Sequence, residues 1–388
     1  MRRSKRLAHR AAAAVPAVTI SDLPSHITCD ILSRLPLNSI FTCKRVCKTW
    51  RELTLEPYFA KLHHSRSPLS LFSYQNGINI NNKTPSSHFE ILPLHDPWVI
   101  PRPMKFRLDI YFPHMYIVAS CNGSILLSNF SSNDDLDTVI VFNPLRAQHF
   151  MLPKPPKLAR QTDKLVRLGL GHSPSNDQYK VLRLTSTYRP GRLYCDIFTI
   201  GIDDEWRSMG DTGQPPTHRV ARIIFLNGAL HWIGVENLGF ICYFDVEKEQ
   251  FGSVPLPSHI GEGFTYLRVV DNQLYLHNDH SCSVWRFWAM KDYGDFGSWT
   301  LEWVIEEPII YKYIKGHVRP LRMLKDGSLL MMFKSSPTQD TKTTLALASY
   351  NPRTRVLKKN KKRVIVPWST SVADTDIPCF FSPMDALK

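Results

Sequence analysis

Apolar residues follow one period in the first part of the chain and another in the rest, and the change falls near residue 68. From Ser21 onward, Ile27, Ile31, Leu32 and Leu35 recur at helical spacing and form one apolar stripe. Pro24 suits the first turn of that helix, where its missing N–H costs nothing, and Pro36 ends it. Asn38 and Ser39 are candidate caps for a second segment. There Ile40, Cys43, Val46, Cys47, Trp50 and Leu53 repeat at three- and four-residue steps, while Lys44, Arg45, Lys48 and Arg51 take the other face. Pro57 marks the next boundary, and a further short helix is expected around "PYFAKLHH".

Beyond residue 68 the pattern becomes alternating and short. One unit recurs: an apolar strand, a tight turn, a second apolar strand, then a third carrying an aromatic. "YIVASCNGSILLSN", "RIIFLNGALHWIG", "LRVVDNQLYLHN" and "LRMLKDGSLLMMF" are its clearest copies, and "LGLGHSPSNDQYKVLRL" is a looser one. Asn-Gly and Asp-Gly between such strands are hairpin signals, because a type I′ turn needs positive φ at both central residues. The units start near residues 116, 166, 222, 266 and 320, a spacing of 44 to 56 residues. A multi-strand repeat of that length predicts propeller blades. "LSLFSYQNG" to "FEILPL" adds a less regular sixth. The expected fold is therefore α+β: a small N-terminal three-helix unit, then a mainly antiparallel β domain of about five or six propeller-like blades. An irregular β-sandwich with coincidental hairpins is the alternative.

A helical unit of some forty residues buries too little surface to be more than marginal alone. Its apolar stripes are also broad for its size. It should need a partner for the spare face, either the rest of the chain or another protein.

Composition narrows the picture. Hydrophobic residues make up 43% and charged ones 21% of 388 residues, the balance of a globular chain. No run approaches the length of a membrane-spanning helix. The cysteines at 29, 43, 47, 121, 195, 242, 282 and 379 include no CxxC pair and mostly sit in apolar runs. Without a secretory signal, this predicts a reducing compartment, the nucleus and/or cytoplasm. The net charge of +14 is concentrated: residues 1–20 carry five basic side chains and no acid, and "RTRVLKKNKKR" carries seven more. The remainder is nearly neutral, which disfavours a nucleic-acid-binding face. The first cluster reads as a flexible leader: a nuclear localisation signal, a transit peptide or a plain solvated tail. The second reads as a nuclear signal or the exposed turn of a strand pair.

Catalytic signatures are missing. There is no GxxxxGK[ST], GxGxxG or GxSxG run. "HNDH" and the His63–His64 pair lack companion ligands at metal spacing, and Cys43 and Cys47 are expected to pack in a core. The tryptophans at 285, 288, 299 and 303 are expected to fill the propeller core. Neither a metal nor a cofactor is implied.

"LPSHITCDILSRLP" followed by "SIFTCKRVCKTWREL" resembles an F-box, with its Leu-Pro start, Ile…Ile-Leu…Leu-Pro spacing and Val-Cys…Trp ending. "VFNPLRAQHFMLP", "GLGHSPSNDQYKVLRL", "LNGALHWI", "YFDVEKEQFGSVPLP" and "VWRFWAM…GSWTLEW" resemble, in order, the F-box-associated interaction domain of large plant F-box families. Phe142 stands where that family more often has tryptophan. The resemblance implies a basic leader (1–20), an F-box (21–66), a substrate-binding β domain (67–366) and a C-terminal tail (367–388). It implies that Leu23, Pro24, Ile27, Ile31, Leu32, Leu35, Pro36, Val46 and Trp50 pack within the box or against a Skp adaptor, with Leu23 and Pro24 foremost at the interface. Through that adaptor the chain would join the cullin and RING subunits of an SCF E3 ubiquitin ligase, as a non-catalytic receptor for an unidentified protein substrate. A carbohydrate- or nucleic-acid-binding propeller module is the competing reading, and a propeller hydrolase would need a convergent acid and histidine cluster that the sequence does not display.

Overall fold

At two of its three Asn-Gly steps the chain reverses, whereas Asn76-Gly77 lies within a strand and pairs with Ser87 and Ser86. In the computed structural model, Asn122 and Gly123 take φ of 49° and 75°, and Asn227 and Gly228 take 48° and 77°. Asp271–Asn272 does the same at 46° and 61°. Asp326–Gly327 differs: only Gly327 has positive φ, and Leu324 and Ser328 pair across a wider turn. The structure describes residues 23–78, 85–94, 103–108, 115–129, 138–156, 164–188, 191–215, 222–234, 239–257, 260, 264–280, 284–306, 318–335, 342–367, 370–372, 379–380 and 382–383. They fall into two compact units, residues 1–66 and 67–388.

The first unit holds four short helices, α1 (Ser25–Ser33), α2 (Leu37–Cys43), α3 (Lys48–Leu53) and α4 (Pro57–Arg66). The fourth is the helix expected around "PYFAKLHH"; the unit has four rather than three because the expected second segment, Ile40 to Leu53, breaks into α2 and α3, with Cys47 in extended geometry (φ −150°, ψ 164°) between them. Asn38 and Ser39 do not cap α2 but lie inside it, because Pro36 occupies the N-cap position. Cys47 is not a core residue: it is exposed, and its Sγ accepts the Trp50 N–H at 3.4 Å to cap α3.

The second unit is six four-stranded antiparallel sheets. Blade one comprises β1 (Ser70–Ile78), β2 (Pro85–Pro93) and β3 (Met104–Leu108), plus β24 (Thr370–Val372). Blade two runs β4 (Met115–Cys121), β5 (Ser124–Asn129), β6 (Val139–Asn143) and β7 (Gln148–Met151). Blade three is β8 (Lys164–Ser173), β9 (Gln178–Tyr188), β10 (Gly191–Thr199) and β11 (Arg207–Asp211). Blade four is β12 (Ile224–Leu226), β13 (Ala229–Ile233), β14 (Phe240–Asp245) and β15 (Gln250–Pro255). Blade five is β16 (Phe264–Val270), β17 (Gln273–His280), β18 (Val284–Met290) and β19 (Trp299–Glu306). Blade six is β20 (Val318–Met323), β21 (Leu329–Ser335), β22 (Lys342–Asn351) and β23 (Val356–Pro367).

Two differences from the expected boundaries matter. Residues 367–388 are not simply a tail: Thr370, Ser371 and Val372 pair with Gln75, Tyr74 and Ser73 and complete blade one, and Cys379 and Phe380 are buried. "KKNKKR" is not a turn but lies within β23, the outer strand of blade six. Ala346 and Ala348 face Arg363 and Lys359, so two extra residues bulge from the edge. A charged, bulged edge strand resists pairing with another chain, which is why lysines are tolerated there.

Apolar seams join neighbouring blades. Leu170 and Val181 pack with Val139 and Val141 between blades two and three, and Leu184 and Ile197 with Trp232 and Phe244 between three and four. At the latter, an added Cβ on Gly169 or Gly171 would come within 2.6 Å of Ile223 or Val246. Only glycine lets these sheets approach so closely. Leu276 and Trp288 meet Ile241 between four and five, and Trp285, Phe287 and Trp303 meet Met331 and Phe333 between five and six. Leu330 and Leu347 meet Leu71 and Leu92 between six and one. Phe89 edges onto Phe142 at 5.5 Å between one and two, so the phenylalanine at the family's tryptophan position closes a seam. Trp285, Trp288 and Trp303 are core as expected, whereas Trp299 is half-buried. His277 is not a surface histidine; it is buried and stacked on Phe287 at 4.6 Å.

Ion pairs sit on blade three and across its seam with blade four. Lys180 Nζ donates to Glu249 Oε1 at 2.7 Å, and Arg207 donates to both Glu249 and Asp203. Arg183 donates to Asp196 at 2.7 Å with both nearly inaccessible.

Two outcomes follow from this architecture. A chain ending at residue 366 loses the closing strand and should melt earlier, by about 2 kcal/mol or more given ~1 kcal/mol per lost backbone hydrogen bond, as read by calorimetry. The Arg207 and Lys180 hydrogen bonds hold the Glu249 carboxyl down at about 2, against 4.5 ordinarily. A depressed carboxylate stabilises the fold above its ordinary value, and that contribution fades as pH falls from 4.5 toward 2. Urea titrations over this window should show a shallower pH slope for Glu249→Gln than for the parent.

Candidate functional site

The helical unit is organised by its two prolines. Pro24 (φ −54°, ψ 145°) precedes α1, and its carbonyl accepts the N–H groups of Ile27 and Thr28 at 3.0 and 3.1 Å. Pro36 (φ −57°, ψ 148°) repeats this before α2, accepting from Ser39 and Ile40 at 2.8 and 3.1 Å. A residue fixed in extended geometry just before a helix turns the chain sharply at both points.

The inside of the unit is made by Cys29, Leu32, Leu37, Ile40, Leu53, Phe59 and Ala60, all nearly inaccessible. His63 joins them beside Phe59 at 5.8 Å, and burial pushes its imidazole down to about 4. Asp30 ties α1 to α4: Arg66 donates to its Oδ1 at 2.6 Å and to Ser33 Oγ at 2.6 Å, while Arg34 donates to Oδ2 at 2.9 Å. These donors, Arg34 first, lower the Asp30 carboxyl below its usual range.

The nine residues expected at an interface separate on this frame. Pro24, Ile27, Ile31, Pro36 and Val46 are exposed, with Ile27 39%, Ile31 37% and Val46 63% accessible. Leu23, Leu35 and Trp50 are half-buried. Leu32 is only 2% accessible and belongs to the core, because one step along α1 from Ile31 rotates its side chain by about 100°, off the exposed face. Leu55 and Tyr58, at 43% and 52%, are large exposed apolar residues that the helical period did not single out: Leu55 lies between α3 and α4, and Tyr58 in the first turn of α4.

Between α2 and α3 lies an open cavity of about 610 Å³ lined by Phe41, Lys44, Arg45, Cys47, Lys48 and Arg51. Lys44 Nζ stands 5.3 Å from the centroid of the Phe41 ring. Four cations around one aromatic make a surface suited to carboxylates on a partner. Among the described residues, no three His, Cys, Asp or Glu side chains converge as a metal set, and no helix is long and apolar enough to cross a membrane.

A family model for the F-box-associated beta propeller domain matches residues 78–369, and one for the F-box domain matches residues 20–62. The chain belongs to the F-box-associated β-propeller family. The F-box match covers α1 to α3 and the first part of α4, and the propeller match runs from the end of β1 through β23. Among relatives in Arabidopsis thaliana, F-box protein At3g07870 is 26% identical over 94% of each chain. F-box protein At3g20690 is 24% identical over 85% of this chain and 90% of that one. Among solved structures, a hypothetical selenium-binding protein from Sulfolobus tokodaii aligns at a TM-score of 0.38 and 10% identity, covering 82% of this chain and 95% of that one. YjhT aligns at 0.38 and 12% identity over 77% and 98%. These two likenesses carry no functional argument.

The division of the F-box residues can be checked directly. Leu32→Ala should cost about 2–5 kcal/mol of the helical unit's stability by opening a cavity. Ile27→Ala with Ile31→Ala should leave it within about 1 kcal/mol, since each side chain is already more than a third exposed. Chemical denaturation followed by helix circular dichroism separates the two.

Proposed function

We propose that this F-box protein is the substrate-recognition subunit of a Skp–cullin–F-box ubiquitin ligase: the F-box binds the Skp adaptor, and the propeller holds a protein substrate. The observation that carries the reading is an F-box whose apolar residues are split between a filled core and an outward set, Ile27, Ile31 and Val46. An outward apolar set on a unit of four short helices is what a docking partner would cover. The basic groove at Lys44, Arg45, Lys48 and Arg51 supports a partner surface rich in carboxylates.

In this reading the chain carries no catalytic residue. Holding a substrate near the charged ubiquitin carrier raises the effective concentration of the substrate's lysines, so selectivity lies in binding. Work in the nucleus, the cytoplasm or both belongs to the same proposal.

The test is recovery of adaptor and cullin from plant extract by the tagged full-length chain, beside Leu23→Ala with Pro24→Ala and beside Ile27→Asp with Ile31→Asp. Both subunits should come down with the parent, and each double variant should weaken adaptor binding about tenfold or more, the scale expected of interface anchors. Absence of adaptor from the parent pull-down would refute the reading.

A further inference from the structure

In each sheet one edge strand meets its counterparts in the neighbouring blades, as β4 meets β8 and β16 meets β20, and the opposite edge is left on the outside. An outer strand presents a row of N–H and C=O groups to any chain that comes alongside. The outer strands here are β3, β7, β11, β15, β19 and β23. Five of them are short or guarded. β3 carries Lys105, β7 has four residues and β11 five, β15 contains Gly252 and ends at Pro255, and β23 is bulged and rich in lysine. β19 is different. It runs eight residues with no lysine, arginine, proline or glycine, and its one interruption is a bulge that leaves Glu302 out of register. Among the described residues it pairs with β18 alone. From blade six the Tyr350 hydroxyl donates to the Val304 carbonyl at 3.5 Å, which leaves that oxygen a second lone pair.

The side chains along this edge are apolar and acidic. Tyr293, Phe296, Leu301 and Val304 are each more than a third exposed and fall within twelve positions of the chain. The other large exposed apolar residues described in the propeller lie singly on separate elements. Leu301, Val304 and Glu306 pair with Trp288, Arg286 and Val284, so all three share one face of blade five. Trp303 and Ile305 take the other face and are buried in the seam with blade six. Residues 291–306 contain Asp292, Asp295, Glu302 and Glu306 against Lys291, in a chain of net charge +14. Lys291 is itself paired with Glu302, and Arg286 is the one cation on β18, behind Val304. The order along the edge is therefore acids in the β18–β19 turn, an apolar pair, then an exposed acid at the far end.

We infer that the outer edge of β19 is a strand-addition site for an extended protein segment in which a short apolar run is flanked by lysine or arginine. Main-chain hydrogen bonds supply the register, and the pleat sets alternate side chains of the added strand beside Leu301, Val304 and Glu306. Apolar side chains cover the exposed pair, and the flanking cations meet Glu306 at one end and the aspartates of the turn at the other. An acidic edge disfavours a copy of itself alongside, so the charge selects a basic partner over a β19–β19 pair. The inference rests on the reading of the propeller as the holder of a protein substrate and says where that substrate docks.

The experiment is fluorescence anisotropy of a dye-labelled peptide titrated with the full-length chain. The peptide alternates valine and threonine between flanking lysines and is N-methylated along one edge, so that it cannot pair with itself. Saturable binding is expected, weakened about tenfold or more by Leu301→Lys with Val304→Lys, which gives β19 the guard that other edges have. Glutamates in place of the flanking lysines should weaken the peptide likewise. Methylation along both edges should abolish binding, which a purely ionic contact would survive. Met151→Lys, at an exposed position of the short strand β7, should bind like the parent. Should the double variant fail to fold by circular dichroism, Glu306→Lys repeats the measurement. No saturable binding, or equal affinity for the doubly methylated peptide or in the β19 variants, overturns the inference. So does a parent that sediments as a dimer and becomes monomeric in the double variant, which gives the edge to a second copy. Adaptor recovery reads the F-box alone, so failure of the peptide beside intact adaptor recovery overturns this site and not the ligase reading.

Discussion

A ring of sheets holds only if every seam between neighbouring blades is closed, and the seam where the chain's two ends meet is closed by the least imposing strand in the molecule. Thr370, Ser371 and Val372 pair with Gln75, Tyr74 and Ser73, so blade one is built from both ends of the domain. Around this point the packing tightens. Phe72 lies 5.6 Å from Phe89, Phe89 edges onto Phe142, and Asn143 Nδ2 donates to the carbonyl of Cys379 at 3.1 Å. Asn143 also accepts the N–H groups of Leu145 and Arg146, so one buried side chain shapes the turn of blade two and ties down the C-terminal segment. No blade buries both faces alone, and stability is therefore shared through the neighbours.

The blades were legible in the sequence because their hairpins carry their own chemistry. Asn-Gly at 122 and 227 takes positive φ in both residues, as the turn type demands. A second recurring turn escaped notice although its residues were in view. In "NPLRAQ", "DVEKEQ" and "NPRTRV", Asn143, Asp245 and Asn351 each accept the N–H groups two and three residues on, and Ala147, Glu249 and Arg355 then take φ of 52°, 53° and 54°. An acceptor side chain followed by a left-handed residue forms this turn without glycine, so a search for Asn-Gly passes over it. β24 was illegible for another reason: three residues have no period, and their strand character comes wholly from the edge of blade one that they meet. "KKNKKR" misled through charge, since a bulged outer strand admits lysines as readily as a turn does.

The helical unit shows where periodicity stops. Ile31 and Leu32 are neighbours in one apolar stripe, yet Leu32 fills the core and Ile31 is more than a third exposed. A stripe on a helix of nine residues marks an apolar surface wider than its own small core can cover. Which members turn inward depends on where α4 packs, and α4 is fixed by Arg66 reaching back to Asp30 and Ser33, a contact across more than thirty residues that no local spacing encodes.

Charge obeys a similar rule at the scale of the propeller. Apart from the two basic clusters the chain is nearly neutral, which read as the absence of an electrostatic face. Neutrality is an average over shells, however. Acids such as Asp177, Asp203, Asp271, Asp292 and Asp326 occupy turns and loops, and Glu302 and Glu306 an outer strand, while the innermost strands have arginines and no acid. An exposed carboxylate in a turn is screened within about a Debye length, ~8–10 Å, whereas a half-buried charge held between packed blades is screened less. Among the described residues, topology thus sorts charge by strand, because which strand becomes innermost decides whether a charged side chain ends between packed blades or on an exposed turn, and a near-zero total does not record that sorting.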